Sequence, residues 1–144
     1  MGVPTPRPGL VIRYSYLWRH QHRRGQAEGT KDRPCVVVVA VRKVSGSVVA
    51  TVAPVTRVPP DDEARAVALS PRVRRYLSLD AERSWIIADE VNQFIWPGAD
   101  IRPIPRRPGA FAYGYLPEDV FEALRTKMIA VHRAGRLRVV RRST

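Results

Sequence analysis

Cysteine is almost absent from this chain, and so is any long hydrophobic run. Cys35 is the only cysteine among 144 residues, which excludes an internal disulfide. Its place inside an apolar run predicts a small buried side chain in a reducing compartment. No apolar run is long enough to cross a bilayer, and the proline-rich start, residues 1–9, has no hydrophobic signal core. We therefore expect a cytoplasmic protein.

Acidic residues and histidines are also scarce. Thirteen Asp and Glu stand against 25 Lys and Arg, so the formal net charge is +12. A charge of this size attracts polyanions, so nucleic acid or an acidic protein is the expected partner. The alternative is that the charge only keeps the protein surface soluble. With three histidines and no cysteine pair, the sequence predicts no metal site and no cofactor.

The length fits one domain, which we expect to span residues 10–135 between a flexible Pro-rich arm, 1–9, and a basic tail, 136–144. Its organising segment is 33–42, a β-branched run that predicts a strand buried on both faces. A turn at 43–47 and a second apolar run, 48–53, predict an antiparallel hairpin.

The rest of the chain predicts strands at 10–18, 66–69, 84–89 and 94–98 and a polar loop at 19–32. It also predicts a short helix from Ser70 to Leu77 and a long helix from Pro117 to Gly135. The tail is either an edge strand or a basic arm. This order predicts a mainly β fold: a small, strongly twisted barrel with one short helix and one C-terminal helix.

The hairpin determines where a candidate site would lie. Arg33 begins one strand and Thr56 follows the end of its partner, so both are expected at the same end of the sheet, from which the loop 19–32 also leaves. A guanidinium, a hydroxyl and nearby carboxylates can support attack of an RNA 2′-hydroxyl on the adjacent phosphate. Taken singly, each residue also has an ordinary structural explanation, such as an ion pair of Arg33 with Asp32 or Glu28, or a turn at Thr56.

Two blocks of the sequence resemble the PemK/MazF family of toxins from bacterial toxin–antitoxin pairs. The first comprises Gly9, the segment 13–18, Glu28-Gly29, the segment 31–38 and Pro54-Val55-Thr56; the second is the segment 84–103. The resemblance implies an SH3-like barrel, a homodimer, a cognate antitoxin, and metal-independent, sequence-selective endonuclease cleavage of single-stranded RNA.

The family's catalytic Arg and Thr correspond to Arg33 and Thr56, and its acidic strand-end residue is similar to Asp89. A basic residue found in some members two places earlier is replaced by Ile87, and the loop before Arg33 differs in length. Glu28 is therefore a further candidate for proton transfer. The predicted nucleic-acid contacts are the basic and histidine residues near the hairpin end: His20, His22, Arg23, Arg24, Lys31 and Arg57. The alternatives are a non-enzymatic toxin on the same barrel, binding a protein target such as gyrase, and a plain nucleic-acid-binding module.

Overall fold

The strands and helices of the computed structural model, which describes residues 2–29, 31–79 and 82–142, follow the order expected for a small barrel. The strands are β1 (Leu10–Ser15), β2 (Asp32–Arg42), β3 (Val48–Thr56), β4 (Ala66–Ala68), β5 (Trp85–Ile87), β6 (Glu90–Trp96), β7 (Ala112–Tyr115) and β8 (Arg138–Arg141). The helices are α1 (Arg19–Arg23), α2 (Pro71–Tyr76) and α3 (Glu118–Arg133), with one 3-10 turn at Glu63–Arg65. None of these helices has the length and hydrophobicity needed to cross a membrane.

The β2–β3 hairpin lies at the centre of the sheet and has the predicted antiparallel pairing. β1 and then β7 continue the sheet beyond β2. On the other side, β3 pairs with β6 along residues 48–52 and with β5 at residues 55–56. Because the two halves of β3 have different partners, the sheet curls into a half-barrel. The prediction of a mainly β fold with a short helix and a C-terminal helix is confirmed.

Alternate residues of the central strands face two hydrophobic clusters. Val36 and Val55 belong to the cluster that α3 covers, whereas Cys35 and Val37 face the cluster containing Tyr14 and Phe94. This alternation is the two-residue period of a strand. Leu124 of α3 is fully buried in the first cluster, and burial of such a side chain contributes about 2 kcal/mol.

The structure corrects four local predictions. The strand expected at 94–98 is β6, which begins at Glu90 and ends at Trp96. Burial on both faces holds for Cys35–Val37, but Val39 and Val41 are 47% and 50% exposed, because this face of the strand's second half is uncovered. The loop 19–32 contains α1, which five polar residues without apolar periodicity could not indicate. The first strand ends at Ser15 rather than at Trp18.

The tail adopts the edge-strand alternative along part of its length. Residues 138–141 form β8, which pairs in parallel with β6. Met1 of the predicted arm, Thr30 of the predicted loop and residues 143–144 of the predicted tail lie outside the described residues.

Candidate active site

Arg33 and Thr56 lie at one end of the β2–β3 hairpin. The register ends with Cys35 opposite Pro54, so Arg33 and Thr56 each lie two residues beyond the last pair, at the same end of the hairpin. The Arg33 side chain reaches across to β3, because it donates a hydrogen bond to the carbonyl oxygen of Val55, the residue before Thr56. The main-chain geometry that the sequence predicted therefore places a guanidinium and a hydroxyl together.

The guanidinium of Arg33 is held by β3 and by the segment after β1. Its Nη1 donates a hydrogen bond of 3.2 Å to the carbonyl oxygen of Val55. The guanidinium carbon lies 5.1 Å from the centre of the Trp18 ring, a favourable cation–π distance. Burial lowers the pKa of Arg33 from its ordinary value. The Nε atom is buried and has no hydrogen-bond acceptor among the described residues, so one donor of the fork is unused.

Thr56 is the last residue of β3, 7% exposed and paired with Trp85 of β5. Its Oγ1 accepts a hydrogen bond of 3.1 Å from the backbone N–H of Val58. This contact orients the hydroxyl through its oxygen, and a hydroxyl that accepts in this way retains its own hydrogen for donation.

Both residues line a cavity of about 670 Å³ at this end of the sheet. Its charged lining is predominantly basic: the cationic residues are Arg13, Lys31, Arg33, Arg57, Arg106 and Arg107, and the carboxylates are Asp32 and Glu82. A concave surface of one sign concentrates counter-ions of the other sign. The cavity is therefore suited to an anionic ligand.

The predicted contacts divide between the cavity and its surroundings. Lys31 and Arg57 contribute to the lining, whereas His20, His22, Arg23, Arg24 and Glu28 do not. The two histidines and Arg23 belong to α1, and Glu28 is exposed in the following loop.

The predicted acidic residue Asp89 also lies outside the lining. Its Oδ2 forms an ion pair with Nε of Arg65, at 2.5 Å. Arg65 belongs to the 3-10 turn and is further tied to this region because its carbonyl oxygen accepts the backbone N–H of Ala88. The pairing of Asp89 with Arg65 could not be predicted from the sequence around Asp89, because Arg65 lies on a separate turn.

Several lining residues were not predicted as site residues. Glu82 and Ser84 come just before β5, where the cavity wall is formed by the strand that pairs with the end of β3. The Ser84 hydroxyl oxygen is buried and has no hydrogen-bond partner among the described residues. The Arg106-Arg107 pair lies in a Pro- and Arg-rich segment between β6 and β7. Its position in the cavity wall depends on long-range folding.

The segment between β1 and β2 is fixed by buried polar contacts. Glu90 accepts hydrogen bonds from the Tyr16 hydroxyl at 2.8 Å and from the Arg19 backbone N–H at 3.0 Å. Burial is the main cause of a pKa for Glu90 above its ordinary value. At the other end of the loop, a Cβ atom on Gly29 would lie 2.2 Å from the carbonyl oxygen of Tyr16. Only glycine therefore fits this close approach.

A buried arginine directly after β8, Arg142, also holds the segment between β1 and β2 in place. The Arg142 side chain is 3% exposed and forms an ion pair of 3.0 Å with Asp100. It donates to the carbonyl oxygen of Ser15 at 2.8 Å and to the Asn92 side-chain oxygen at 3.2 Å. A longer contact of 3.4 Å reaches the carbonyl oxygen of Ala27 in the loop. Arg142 thus connects the C-terminal strand with both ends of the segment that precedes Arg33.

No group of three or more His, Cys, Asp or Glu residues within 2–29, 31–79 and 82–142 is arranged to hold a metal ion. The groups that the cavity offers for chemistry are those of Arg33, Thr56, their basic neighbours, two carboxylates and the hydroxyls of Ser78, Ser84 and Tyr113.

Comparison with known proteins gives a structural likeness only. No family model and no curated protein sequence matches this chain. Among solved structures, a chain of the MazE–MazF complex from Deinococcus radiodurans, form III, is similar with a TM-score of 0.56 and 18% sequence identity. The likeness covers 89% of this chain and 96% of that one. The fold is therefore MazF-like over nearly its whole length, as the sequence resemblance predicted.

Proposed function

We propose that this chain, which has a MazF-like fold, is the growth-inhibiting toxin of a toxin–antitoxin pair and an endoribonuclease acting on single-stranded RNA. The observation that supports this best is the convergence of Arg33 and Thr56 in one basic cavity at the end of the hairpin. The likeness to a MazE–MazF complex supports the toxin class through the fold.

The proposed reaction is attack of a ribose 2′-oxygen on the neighbouring phosphorus. The new P–O2′ bond forms as the P–O5′ bond breaks, which leaves a 2′,3′-cyclic phosphate and a 5′-hydroxyl. Arg33 lines the cavity and stabilises the additional negative charge by donating guanidinium N–H groups to one of the phosphoryl oxygens. Thr56 donates its hydroxyl hydrogen to a second oxygen. No metal ion has a role in this scheme.

The 2′-hydroxyl must lose a proton as it attacks, and the leaving 5′-oxygen takes one up from solvent. Asp89 and Glu28 lie outside the cavity lining, whereas Asp32 and Glu82 are part of it. Asp32 lies 3.9 Å from Arg13 and 4.0 Å from Arg102, so its negative charge is already matched by cations. We therefore propose Glu82 as the proton acceptor.

The proposed partners follow from the charge and from the fold. The net charge of +12 favours an antitoxin with an acidic binding segment, and the similar solved structure is a complex of this class. A homodimer is proposed as the working assembly on the strength of the family resemblance. Co-purification with the product of a neighbouring acidic reading frame tests the first proposal, and sedimentation of the purified chain tests the second.

The activity is tested by incubating the purified protein with a long single-stranded RNA in EDTA and analysing product lengths and end groups. Discrete fragments with cyclic-phosphate ends are expected from the parent. Arg33→Ala and Thr56→Ala are each expected to lower the cleavage rate by about 10²–10³-fold, the usual effect of removing one transition-state donor. Arg33→Lys, which keeps the charge but not the fork, and Thr56→Ser, which keeps the hydroxyl, are the matched variants.

Glu82→Gln is expected to slow cleavage, whereas Asp89→Asn and Glu28→Gln are expected to retain it. Cleavage by Arg33→Ala at the parental rate would refute the assignment of the site. An inactive parent that still stops growth on expression would instead favour the non-enzymatic toxin that binds a protein target.

A further inference from the structure

The segment 104–110 forms two consecutive tight turns in the cavity wall. The backbone N–H of Arg107 donates to the carbonyl oxygen of Ile104, and that of Ala110 donates to the carbonyl oxygen of Arg107. Each turn has proline in its second position, Pro105 and Pro108. The third position of each turn has a positive φ angle, +65° at Arg106 and +79° at Gly109. These are the features of type II turns.

The two turns differ in the residue type at the position with positive φ. Gly109 is the residue that a type II turn favours there, whereas Arg106 has a Cβ atom and is strained in the same conformation. Backbone strain of this kind persists where the surrounding structure fixes it, and it is concentrated at functional sites. The side chain of Arg106 is therefore a candidate for a role that glycine could not fill.

The surroundings of Arg106 and Arg107 favour a role in binding an anionic ligand over a role in ion pairs within the protein. Arg106 is exposed and Arg107 is half-buried, and both line the cavity that contains Arg33 and Thr56. Among the described residues, no carboxylate forms an ion pair with either guanidinium. The turn itself is rigid because of its two prolines, its hydrogen bonds and the buried anchor Ile104, 6% exposed.

We propose that Arg106 and Arg107 form a second phosphate subsite, which binds the RNA backbone next to the phosphate held by Arg33. The inference rests on the proposed function. A cavity of about 670 Å³ is in the range that accommodates a ligand much larger than one phosphate group. An RNA strand that places one phosphate at Arg33 carries further phosphates on either side of it, and Arg106 and Arg107 line the same cavity.

The test measures binding separately from cleavage. A fluorescein-labelled single-stranded DNA of mixed sequence lacks the 2′-hydroxyl and cannot undergo the proposed reaction, so its affinity is measured by anisotropy over a series of NaCl concentrations. Arg106→Gln/Arg107→Gln is expected to weaken binding roughly tenfold. It is also expected to make the slope of log K against log salt shallower by about 1.4, since each single-strand phosphate contact contributes about 0.7.

Two further variants separate a local effect from charge and folding. Arg125→Gln/Arg136→Gln removes the same charge from exposed positions outside the cavity, and is expected to leave the slope unchanged. Arg106→Gly places at the turn the residue type that its φ favours, so it is expected to weaken binding without lowering the melting temperature.

An equal change of slope in the control pair, or no change in either pair, would overturn the subsite. Retained DNA binding combined with lost binding of a synthetic poly-Glu peptide would assign the turn to an acidic protein partner instead. An inactive parent whose DNA affinity still depends on Arg106 and Arg107 would remove the nuclease proposal and leave the anion subsite standing.

Discussion

Replacement of Arg142 by methionine is the strongest test of how the candidate site is held in place. The variant removes the guanidinium from its ion pair with Asp100 and from the oxygens of Ser15 and Asn92. The Arg142 side chain is only 3% exposed and that of Asp100 is 13% exposed, so the remaining carboxylate is left largely buried without its cation.

Breaking a buried ion pair by removing one partner costs about 3–5 kcal/mol. A domain of this size loses about 2–4 °C in melting temperature per kcal/mol, so Arg142→Met is expected to melt roughly 6–20 °C below the parent. Its neighbour Arg141, the last residue of β8, is exposed, and Arg141→Met is expected to change stability by less than about 0.5 kcal/mol. Thermal unfolding followed by circular dichroism measures both.

A second variant separates the ion pair from the rest of the network. Asp100→Leu/Arg142→Met leaves neither charge unpaired, so it is expected to be less destabilised than Arg142→Met alone. If Arg142→Met melts within about 2 °C of the parent, the buried pair is not a support of the fold, and the reasoning from burial fails.

Two other perturbations address the segment before Arg33. Gly29→Ala would place a Cβ atom 2.2 Å from the Tyr16 carbonyl oxygen, so it is expected to cost about 1–3 kcal/mol in chemical denaturation, whereas Gly2→Ala, with no atom within 4 Å, is expected to cost nothing. Burial raises the pKa of Glu90 above its ordinary 4.5, so the folded state binds this proton more tightly than the unfolded state. The stability contributed by Glu90 is therefore present below pH 4.5 and is lost as the pH rises through the raised pKa. Urea unfolding over a pH series is expected to show this decline for the parent and not for Glu90→Gln.

The main lines of the fold could be predicted because they depend on local patterns. Two β-branched runs separated by a polar turn predict the hairpin, and antiparallel pairing alone brings the ends at Arg33 and Thr56 together. The spacing of Val120, Leu124 and Met128 likewise predicts the apolar face of α3, which packs on the core.

The rest of the site depends on contacts between distant segments. The pairing of Asp89 with Arg65 requires the turn before β4, and the entry of Glu82 into the cavity wall requires β5 to pair with the end of β3. Likewise, the basic residues of the tail looked equivalent in the sequence, whereas Arg142 is buried in an ion pair and Arg141 is exposed. Charge patterns indicate that an arginine is present but not which partner it will meet.

The parallel pairing of β8 with β6 has a consequence for the order in which contacts form during synthesis on the ribosome. Hairpins form between neighbouring segments as these emerge, but a parallel pair requires a crossover, which here contains β7 and α3. The contacts of Arg142 with the oxygens of Ser15 and Ala27 can form only after residue 142 has left the exit tunnel. The segment that leads into Arg33, although made early, therefore gains these contacts only after the residues from 34 to 142 have been synthesised.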